Sequence, residues 1–468
     1  MRRRTFSRLT IAACAFTLLA GIAPAATADG SGGGGDRGDR GRHDRAYRTV
    51  GYFTQWGVYG RDFQVKDLET SGTAARLTHI NYAFGNVSAE GRCFTGNVPG
   101  EADAWADYAR PLDAAGSVDG VADTDTQPLA GNFNQLRELK AAHPGLKVMI
   151  SLGGWSWSTH FSDAARTAAS RKALVSSCID LYIKGNLPQD GVRGGEGAAA
   201  GLFDGIDLDW EWPGSAGDTD TVYRPEDKRN FTALVHEFRT QLDAYAKTQH
   251  ARKQHASTGG TEARKGKGRA KHYELSAFVP TSPEKIDAGF DVPRIMRDFD
   301  FVNLQGYDFH VSGEKTTAQQ SALHAKGDFS VDQTVRDWIR RGAPARKLVM
   351  GMPFYGQGWT GVTGGGDGLG QPATAPAPAT YAAGYEDYKA LKKLADSGQY
   401  TVHRDTRNGH AWLFDGTTLW TYDDPQVLRA KTSYIRDRGL GGAMFWSLDG
   451  DTDDGELMAA VDRGLGRR

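Results

Sequence analysis

Three acidic residues recur at two-residue spacing in segment 203–211, where Asp207, Asp209 and Glu211 alternate with large apolar residues. Successive side chains of a β-strand point to opposite faces, so a strand here places the three carboxyl groups on one face, roughly 6 to 7 Å apart. Like charges this close raise one another's pKa, and burying them is costly unless they share protons, hydrogen bonds or a cation. The spacing therefore favours a site that uses the carboxyl groups chemically.

Two other interpretations fit such a row of acids. It could be the solvated face of a strand, or it could bind a hard cation such as calcium or magnesium. Against the first, the opposite face is wholly apolar and the segment ends in a Glu-Trp-Pro-Gly turn signal at residues 211–214. Against the second, the sequence contains neither a glycine-punctuated calcium loop nor a phosphate-binding loop. We therefore expect the acids to face the inside of a barrel whose outside is covered by helices.

The elements that must position these acids follow a repeating pattern. Eight strand-like runs occur, most of them followed by apolar residues at helical spacing, which predicts an α/β fold of the (β/α)8 TIM-barrel type. Active sites of this fold lie at the C-terminal strand ends, and Glu211 is at the predicted end of the fourth strand. The runs are 48–55, 77–87, 146–153, 202–212, 273–279, 299–307, 347–355 and 441–448, and the predicted helices are 133–142, 164–184, 227–247, 331–341 and 425–438.

Two stretches interrupt the alternation. Residues 356–422 are too long for one crossover and contain strand-like pieces. They predict a small α+β insertion between strands seven and eight, which leaves 46–355 and 423–468 for the barrel. Residues 249–271 are polar and basic, and because no aromatic residues lie among their charges they indicate a surface loop rather than a nucleic-acid patch.

The N-terminal sequence has the pattern of a secretory signal. A cluster of arginines, an apolar stretch and an A-x-A-like site predict cleavage after residue 28, followed by a flexible Gly/Asp/Arg-rich tether over 29–45. We therefore expect a secreted, extracellular protein. Cys93 and Cys178 would remain in the mature chain, where they can form one disulfide or stay as two thiols.

Charge and composition limit the classes of molecule that the protein is expected to bind. Removing residues 1–28 takes away four arginines and no acids, which leaves 52 basic against 57 acidic residues and a formal charge of −5. This balance argues against nucleic acid or an anionic membrane as a partner. The eleven tryptophans suit a protein that handles the apolar faces of sugar rings, although they suit a large core equally. We expect a monomer.

The motifs together resemble those of the family-18 glycoside hydrolases, and specifically their chitinases. The family's D-G-x-D-x-D-x-E motif is complete, from Asp204 to Glu211, and four further motifs occur in the family's order. One departure is Gln357, where many relatives carry arginine and where a charged substrate contact would then be absent or supplied elsewhere. The further motifs are Ser-Leu-Gly-Gly at 151–154, Gln-Gly-Tyr-Asp at 305–308, Gly-Met-Pro-Phe-Tyr-Gly at 351–356 and Gly-Ala-Met-Phe-Trp-Ser at 442–447.

The resemblance implies a substrate-assisted mechanism, because family 18 is an exception to the two-carboxylate scheme of glycosidases. The acetamido oxygen of the sugar would attack the anomeric carbon, while Glu211 would protonate the glycosidic oxygen and later deprotonate water. Asp209 would bind the acetamido N–H, Asp207 would share a proton with Asp209, and Tyr307 would donate to the acetamido oxygen. No cofactor and no metal are implied.

The same resemblance implies a set of residues that bind the sugar. Trp446 would form the floor of the pocket for the cleaved sugar, and Ser151 would support Asp207 rather than touch substrate. Trp155, Trp157, Trp212 and Trp359 are candidates for adsorption to crystalline chitin. The expected substrate-binding residues are Tyr52, Phe84, Ser151, Gly153, Gly154, Trp155, Trp212, Gln305, Asp308 and Trp446.

The resulting hypothesis is a chitinase that cleaves β-1,4 linkages between N-acetylglucosamine units of chitin and its oligomers. One alternative is an endo-β-N-acetylglucosaminidase acting on N-glycans, which uses the same motifs. Another is a lectin-like relative that binds chitin without cleaving it. Such lectins typically lose the glutamate, whereas Glu211 is present here.

Overall fold

The structure is a computed structural model that describes residues 47–257 and 270–466. The predicted signal (1–28), the predicted tether (29–45) and most of the basic stretch 249–271 lie outside the described residues. Within the two described ranges, no helix combines the length and the apolar character needed to cross a bilayer.

Eight parallel strands form a closed barrel, which confirms the predicted (β/α)8 fold. Each strand pairs with its neighbours in chain order, and the ring closes because β8 pairs with β1 from Arg48 opposite Gly442 to Gly51 opposite Phe445. The strands are β1 Arg48–Thr54, β2 His79–Val87, β3 Lys147–Gly153, β4 Gly205–Asp209, β5 Glu274–Val279, β6 Val302–Leu304, β7 Leu348–Pro353 and β8 Gly442–Trp446.

Four helices of the barrel begin at polar caps. Thr167, Ser282, Ser330 and Asp424 each accept backbone N–H bonds in the first turn of the helix that follows, which satisfies donors that a helix start leaves unpaired. The helices are α1 Val65–Thr70, α2 Gly131–Ala142, α3 Phe161–Ala165, α4 Ala168–Cys178, α5 Asp227–Ser257, α6 Pro283–Gly289, α7 Val292–Asp298, α8 Val331–Arg340, α9 Tyr388–Asp396, α10 Pro425–Arg438 and α11 Glu456–Leu465.

Two helix predictions were wrong in extent. The predicted helix 164–184 is divided into α3, α4 and a π-helical turn at Ile179–Ile183. Predicted helix 227–247 continues to Ser257, because many of the residues after 247 are good helix formers. The stretch 249–271 is therefore helical in its first part rather than a loop throughout.

A second, antiparallel sheet lies between β7 and α10. Its strand Tyr355–Thr360 pairs with Thr418–Tyr422, which in turn pairs with His410–Phe414. This sheet has its own small apolar cluster around Trp359 and Leu419. It begins at Tyr355, one residue before the predicted insertion. Its other strands are Ala375–Pro376, Tyr385–Asp387 and Thr401–Asp405, and α9 belongs to the same segment.

One disulfide and one buried ionic cluster join elements of the barrel. Cys93 and Cys178 form a disulfide, with 4.9 Å between their Cα atoms, and so join the segment after β2 to the end of α4. At the N-terminal end of the barrel, the buried Glu274 carboxylate accepts a 2.7 Å hydrogen bond from His79 Nε2 and pairs with Lys147. Burial lowers the pKa of His79, whereas His79 and Lys147 lower the pKa of Glu274 to about 2.

Candidate active site

The acidic row lies at the C-terminal end of β4, but its three members do not all belong to the strand. Asp207 and Asp209 are in β4 and almost completely buried. The strand ends at Asp209, so the prediction that it extends to residue 212 was wrong. Glu211 is half-buried in the loop that follows. The Trp-Pro-Gly sequence after it turns the chain away from the sheet, which ends strand pairing early.

Asp207 is the hub of a buried hydrogen-bond network inside the barrel. Its carboxylate accepts hydrogen bonds from Tyr52 Oη (2.7 Å), Ser151 Oγ (2.8 Å) and Ser276 Oγ (2.5 Å), and a longer one from Asn303 Nδ2 (3.4 Å). Burial raises the pKa of Asp207, and these four donors oppose the rise. The expected support of Asp207 by Ser151 is therefore present, and Ser151 itself is fully buried.

Asp209 has a different environment from Asp207. Its side chain is buried, yet its Oδ1 has no hydrogen-bond partner among the described residues. Burial raises the pKa of Asp209 well above its usual value, and the charges of Glu211 and Asp207 raise it further. A buried carboxyl oxygen without a partner is costly, so this atom is a place where a ligand donor would be favourable.

Glu211 is held in place through its backbone. Its N–H donates to Ser158 Oγ (2.9 Å), and that hydroxyl donates to the Gly154 carbonyl (2.8 Å). Burial raises the pKa of Glu211 to about 8; Lys285 opposes this rise, and Asp308 and Asp218 add to it. A carboxyl group with this pKa is protonated at neutral pH and can act as a general acid.

Tyr307 follows β6 and is almost fully buried. Its ring stacks on Phe278 with centroids 6.1 Å apart, and its hydroxyl lies 3.8 Å from Met444 Sδ. The next residue, Asp308, accepts hydrogen bonds from Tyr355 Oη (2.7 Å) and Gln357 Nε2 (2.9 Å). Gln357, the departure from the family pattern, is thus buried, and its side-chain amide is hydrogen-bonded to Asp308.

An aromatic cluster surrounds Trp446, which ends β8 and is half-buried. Phe84 stacks on it with centroids 5.7 Å apart, and Tyr52 approaches at 5.3 Å. Trp56, which is 41% exposed, lies 6.5 Å from the Trp446 ring and extends the aromatic surface outward. Sugar rings pack on surfaces of this kind.

The strand-three motif shapes the backbone beside these acids. Gly153 has φ +108°, and a β-carbon there would lie 2.4 Å from the Asp209 carbonyl oxygen; one at Gly154 would lie 2.5 Å from the Phe84 ring. Both positions therefore need glycine for close packing between β3, β4 and Phe84. Trp155 and Gln305 follow β3 and β6 as half-buried residues near the same strand ends.

Two surface assignments were wrong. Trp212 was expected to bind substrate and, like Trp359, to lie on the surface that adsorbs to chitin, but both indoles are buried. Trp212 stacks on Phe278 with centroids 5.6 Å apart, and Trp359 packs in the core of the second sheet. Their positions after strand ends did not reveal that α6 and the second sheet cover them.

Several residues of the site were missed by the sequence reasoning. Ser276 and Asn303 complete the shell of Asp207, and counting inward positions along β5 and β6 would have found them. Trp56 lies just after β1 and could have been found as an aromatic residue at a C-terminal strand end. No group of three or more His, Cys, Asp or Glu side chains in the described residues could hold a metal ion.

Comparisons with known proteins agree with this geometry. Residues 48–451 match Glycosyl hydrolases family 18, which is most of the chain. In the catalytic domain of psychrophilic chitinase B from Arthrobacter TAD20, a solved structure, 47% of aligned residues are identical; the alignment covers 90% of this chain and 95% of that one, with a TM-score of 0.82.

Two curated relatives are similar over most of this chain. Chitinase 63 of Streptomyces plicatus is 39% identical over 89% of this chain and 60% of its own length. Chitinase A1 of Niallia circulans is 32% identical over 87% of this chain and 57% of its own length. The chain thus spans somewhat more than half of these relatives. By its family match and its similarity to these relatives, the chain belongs to the glycosyl hydrolases of family 18.

Proposed function

We propose that the protein is a chitinase that hydrolyses β-1,4 linkages between N-acetylglucosamine units. The observation that carries the proposal is the pairing of a protonated general acid, Glu211, with a buried carboxyl oxygen of Asp209 that has no partner among the described residues. A chain of N-acetyl sugars supplies both a glycosidic bond, whose cleavage needs the acid Glu211, and an acetamido N–H, which can donate to the Asp209 oxygen. The relatives named above are chitinases, which supports the same substrate class.

In the first step, the acetamido carbonyl oxygen of the sugar attacks its own anomeric carbon. The bond from that carbon to the glycosidic oxygen breaks, and the proton of Glu211 moves to the departing oxygen. The products of this step are a released chain end and a cyclic oxazolinium-type intermediate, while Glu211 becomes a carboxylate. Because burial raises the pKa of Glu211, its carboxyl group holds the proton until negative charge develops on the leaving oxygen.

Two side chains align the internal nucleophile. Asp209 Oδ1 accepts the acetamido N–H, which removes the cost of an unpaired buried oxygen. Among the residues that the structure describes, the hydrogen-bond partner of Tyr307 Oη is Met444 Sδ, a weak acceptor at 3.8 Å, so the hydroxyl can donate to the acetamido carbonyl oxygen. Asp207 is held by its shell of donors and lies two residues before Asp209 in β4, and we propose that it shares a proton with Asp209.

In the second step, water attacks the anomeric carbon from the face the leaving group vacated. Glu211, now a carboxylate, takes a proton from that water, and the carbon–oxygen bond of the ring closure breaks to restore the acetamido group. Two inversions at one carbon retain its configuration, so the first-formed product is the β-anomer. Trp446, with Tyr52 and Phe84 packed against it, forms the floor under the cleaved sugar, and Trp56 supports the next sugars.

We also propose finer assignments for the sugar-binding residues. Trp155, Gln305 and Asp308, which lie after the ends of β3 and β6, contact the sugar. Gly153 and Gly154 act through the close packing of β3 on β4 and Phe84. The second sheet, which begins at Tyr355 and ends at Tyr422, forms a wall of the cleft beside the barrel.

We propose that the protein acts outside the cell as a monomer on chitin. The signal pattern of residues 1–28 and the disulfide between Cys93 and Cys178 support an oxidising, extracellular location. N-terminal sequencing of protein recovered from the medium checks this, because the mature chain is expected to begin near Asp29. A mature chain that retains Met1 would contradict the location.

The function is tested by substrate choice. We expect release of reducing ends from colloidal chitin and from chitotetraose, and little release from a high-mannose glycoprotein. Glu211→Gln is the matched control, because it keeps the shape of the site and removes the proton donor. Cleavage of the glycoprotein in preference to chitin would favour an endo-β-N-acetylglucosaminidase, and binding of chitin without cleavage by the wild-type protein would favour a lectin.

A further inference from the structure

The short helix α6 is packed directly against the loop that carries Glu211. A β-carbon at Gly289, the last residue of α6, would lie 2.2 Å from the Pro213 carbonyl oxygen, and one at Gly217 would lie 1.9 Å from the Glu211 carbonyl oxygen. The loop therefore folds back on Glu211, and α6 touches the loop backbone to backbone. This packing fixes the distance between side chains on α6 and the carboxyl group of Glu211.

Lys285 lies in the first turn of α6, where its backbone N–H donates to the cap Ser282 Oγ (3.3 Å). Its ammonium group lies 5.1 Å from the centroid of the buried Trp212 ring. Trp212 directly follows Glu211 and stacks on Phe278. A cation over an aromatic face is attracted to it, so Trp212 acts as a seat for the ammonium group beside Glu211.

The charges around Glu211 are otherwise acidic. Asp218 in the loop after β4 and Asp308 in the loop after β6 raise the pKa of Glu211. Glu211 in turn raises the pKa of Asp209 in β4. Tyr307 faces the same group from β6. Lys285 on α6 is the cation that opposes them among the described residues. Burial lowers the pKa of Lys285 to about 8, and the charge of Glu211 opposes that fall.

We propose that Lys285 is a positioning residue for Glu211: seated on Trp212, its ammonium group compensates the negative charge that Glu211 acquires when it gives up its proton. This role rests on the function proposed above. Without the cation, Glu211 would remain the proton donor but would form a carboxylate among three other acids. Glu211 would then be a weaker acid when it protonates the leaving group in the first step. Its carboxylate, which takes a proton from water in the second step, would be less stable.

The test is the pH profile of kcat/KM on chitotetraose for Lys285→Met, with Lys285→Arg as the conservative variant. An opposite charge at close range typically moves a pKa by about one unit or more, so we expect the alkaline limb of Lys285→Met to move up by about one unit. We expect its kcat below the limb to fall roughly threefold, because a weaker acid assists the leaving group less. Lys285→Arg keeps the charge and is expected to keep the wild-type limb.

A second lysine separates charge from helix docking. Lys228 donates to the Asp287 carbonyl oxygen of α6 (2.9 Å), so Lys228→Met disturbs the attachment of α6 and leaves the charge of Lys285 in place. We expect its alkaline limb to stay at the wild-type pH. Lys285→Gln provides a second neutral variant if Lys285→Met is poorly folded, and circular dichroism monitors both.

The outcomes distinguish this proposal from the function on which it rests. A limb that stays at the wild-type pH in the folded neutral variants, while Glu211→Gln is inactive, would overturn the role of Lys285 alone. An equal shift in Lys228→Met would also overturn it, because helix docking would then explain the effect. Wild-type turnover in Glu211→Gln would overturn the general acid itself and both proposals with it.

Discussion

The pH dependence of turnover follows from the environment of Glu211. Burial raises its pKa from 4.5 to about 8. At pH 7 roughly 90% of the enzyme would then carry the proton that the first step needs, and at pH 9 only roughly 10% would. An unshifted glutamate would be less than about 1% protonated at pH 7.

The direction of the pH dependence is set by the protonation state of Glu211 that is catalytically active. Glu211 works as the protonated acid, so activity is present below its pKa and is lost as the pH rises through about 8. We expect kcat/KM on chitotetraose, measured from pH 5 to 10 at constant ionic strength, to show an alkaline limb near pH 8 that falls tenfold per pH unit. The free enzyme titrates in kcat/KM, which makes this the appropriate quantity.

Glu211→Gln is the control for this profile, because glutamine does not titrate. Its residual activity is expected to lose the limb near pH 8. A wild-type limb between pH 4 and 6 would refute the argument that burial keeps Glu211 protonated. A limb near pH 8 that persists in Glu211→Gln would assign the titration to another group.

Three further predictions follow from the same contacts. Glu211→Gln is expected to lose at least about a thousandfold in kcat and to keep oligosaccharide binding in calorimetry; wild-type turnover would place the acid elsewhere. A thiazoline analogue of the cyclised intermediate is expected to inhibit competitively and to bind far more weakly to Tyr307→Phe and Asp209→Ala, and unchanged inhibition constants would refute their roles. Glu274→Gln is expected to lower the free energy of unfolding by about 1 to 2 kcal/mol above pH 5, because the carboxylate loses its ion pair with the partly exposed Lys147; kcat should be unchanged, and unaltered urea denaturation would contradict the estimate.

The barrel could be predicted from the sequence because its strands repeat a strong local pattern. Each of the eight apolar runs has a strand in the structure, and the two-residue spacing of Asp207 and Asp209 gave their shared placement in β4. The position of Glu211 could not be read in the same way. Whether a strand pairs to its last residue depends on its neighbours, and β4 stops pairing at Asp209.

Burial of individual tryptophans could not be predicted either. Trp212, Trp359 and Trp56 all lie near strand ends, yet the first two are buried and Trp56 is 41% exposed. The difference arises from which distant segment covers each indole: α6 and Phe278 for Trp212, and the second sheet for Trp359. The role of Lys285 was missed for the same reason, since its closeness to Glu211 depends on how α6 packs on the loop.

The most direct test of the mechanism compares two chitotetraoses that differ only in the N-acetyl group of the sugar at the cleavage site. We expect the fully acetylated substrate to be cleaved with the β-anomer appearing first in a proton NMR time course, and the substrate lacking that one acetyl group not to be cleaved there, because the nucleophile is missing. Equal cleavage of both substrates, or a glycosyl ester trapped on Asp207 or Asp209, would contradict substrate-assisted catalysis by Glu211.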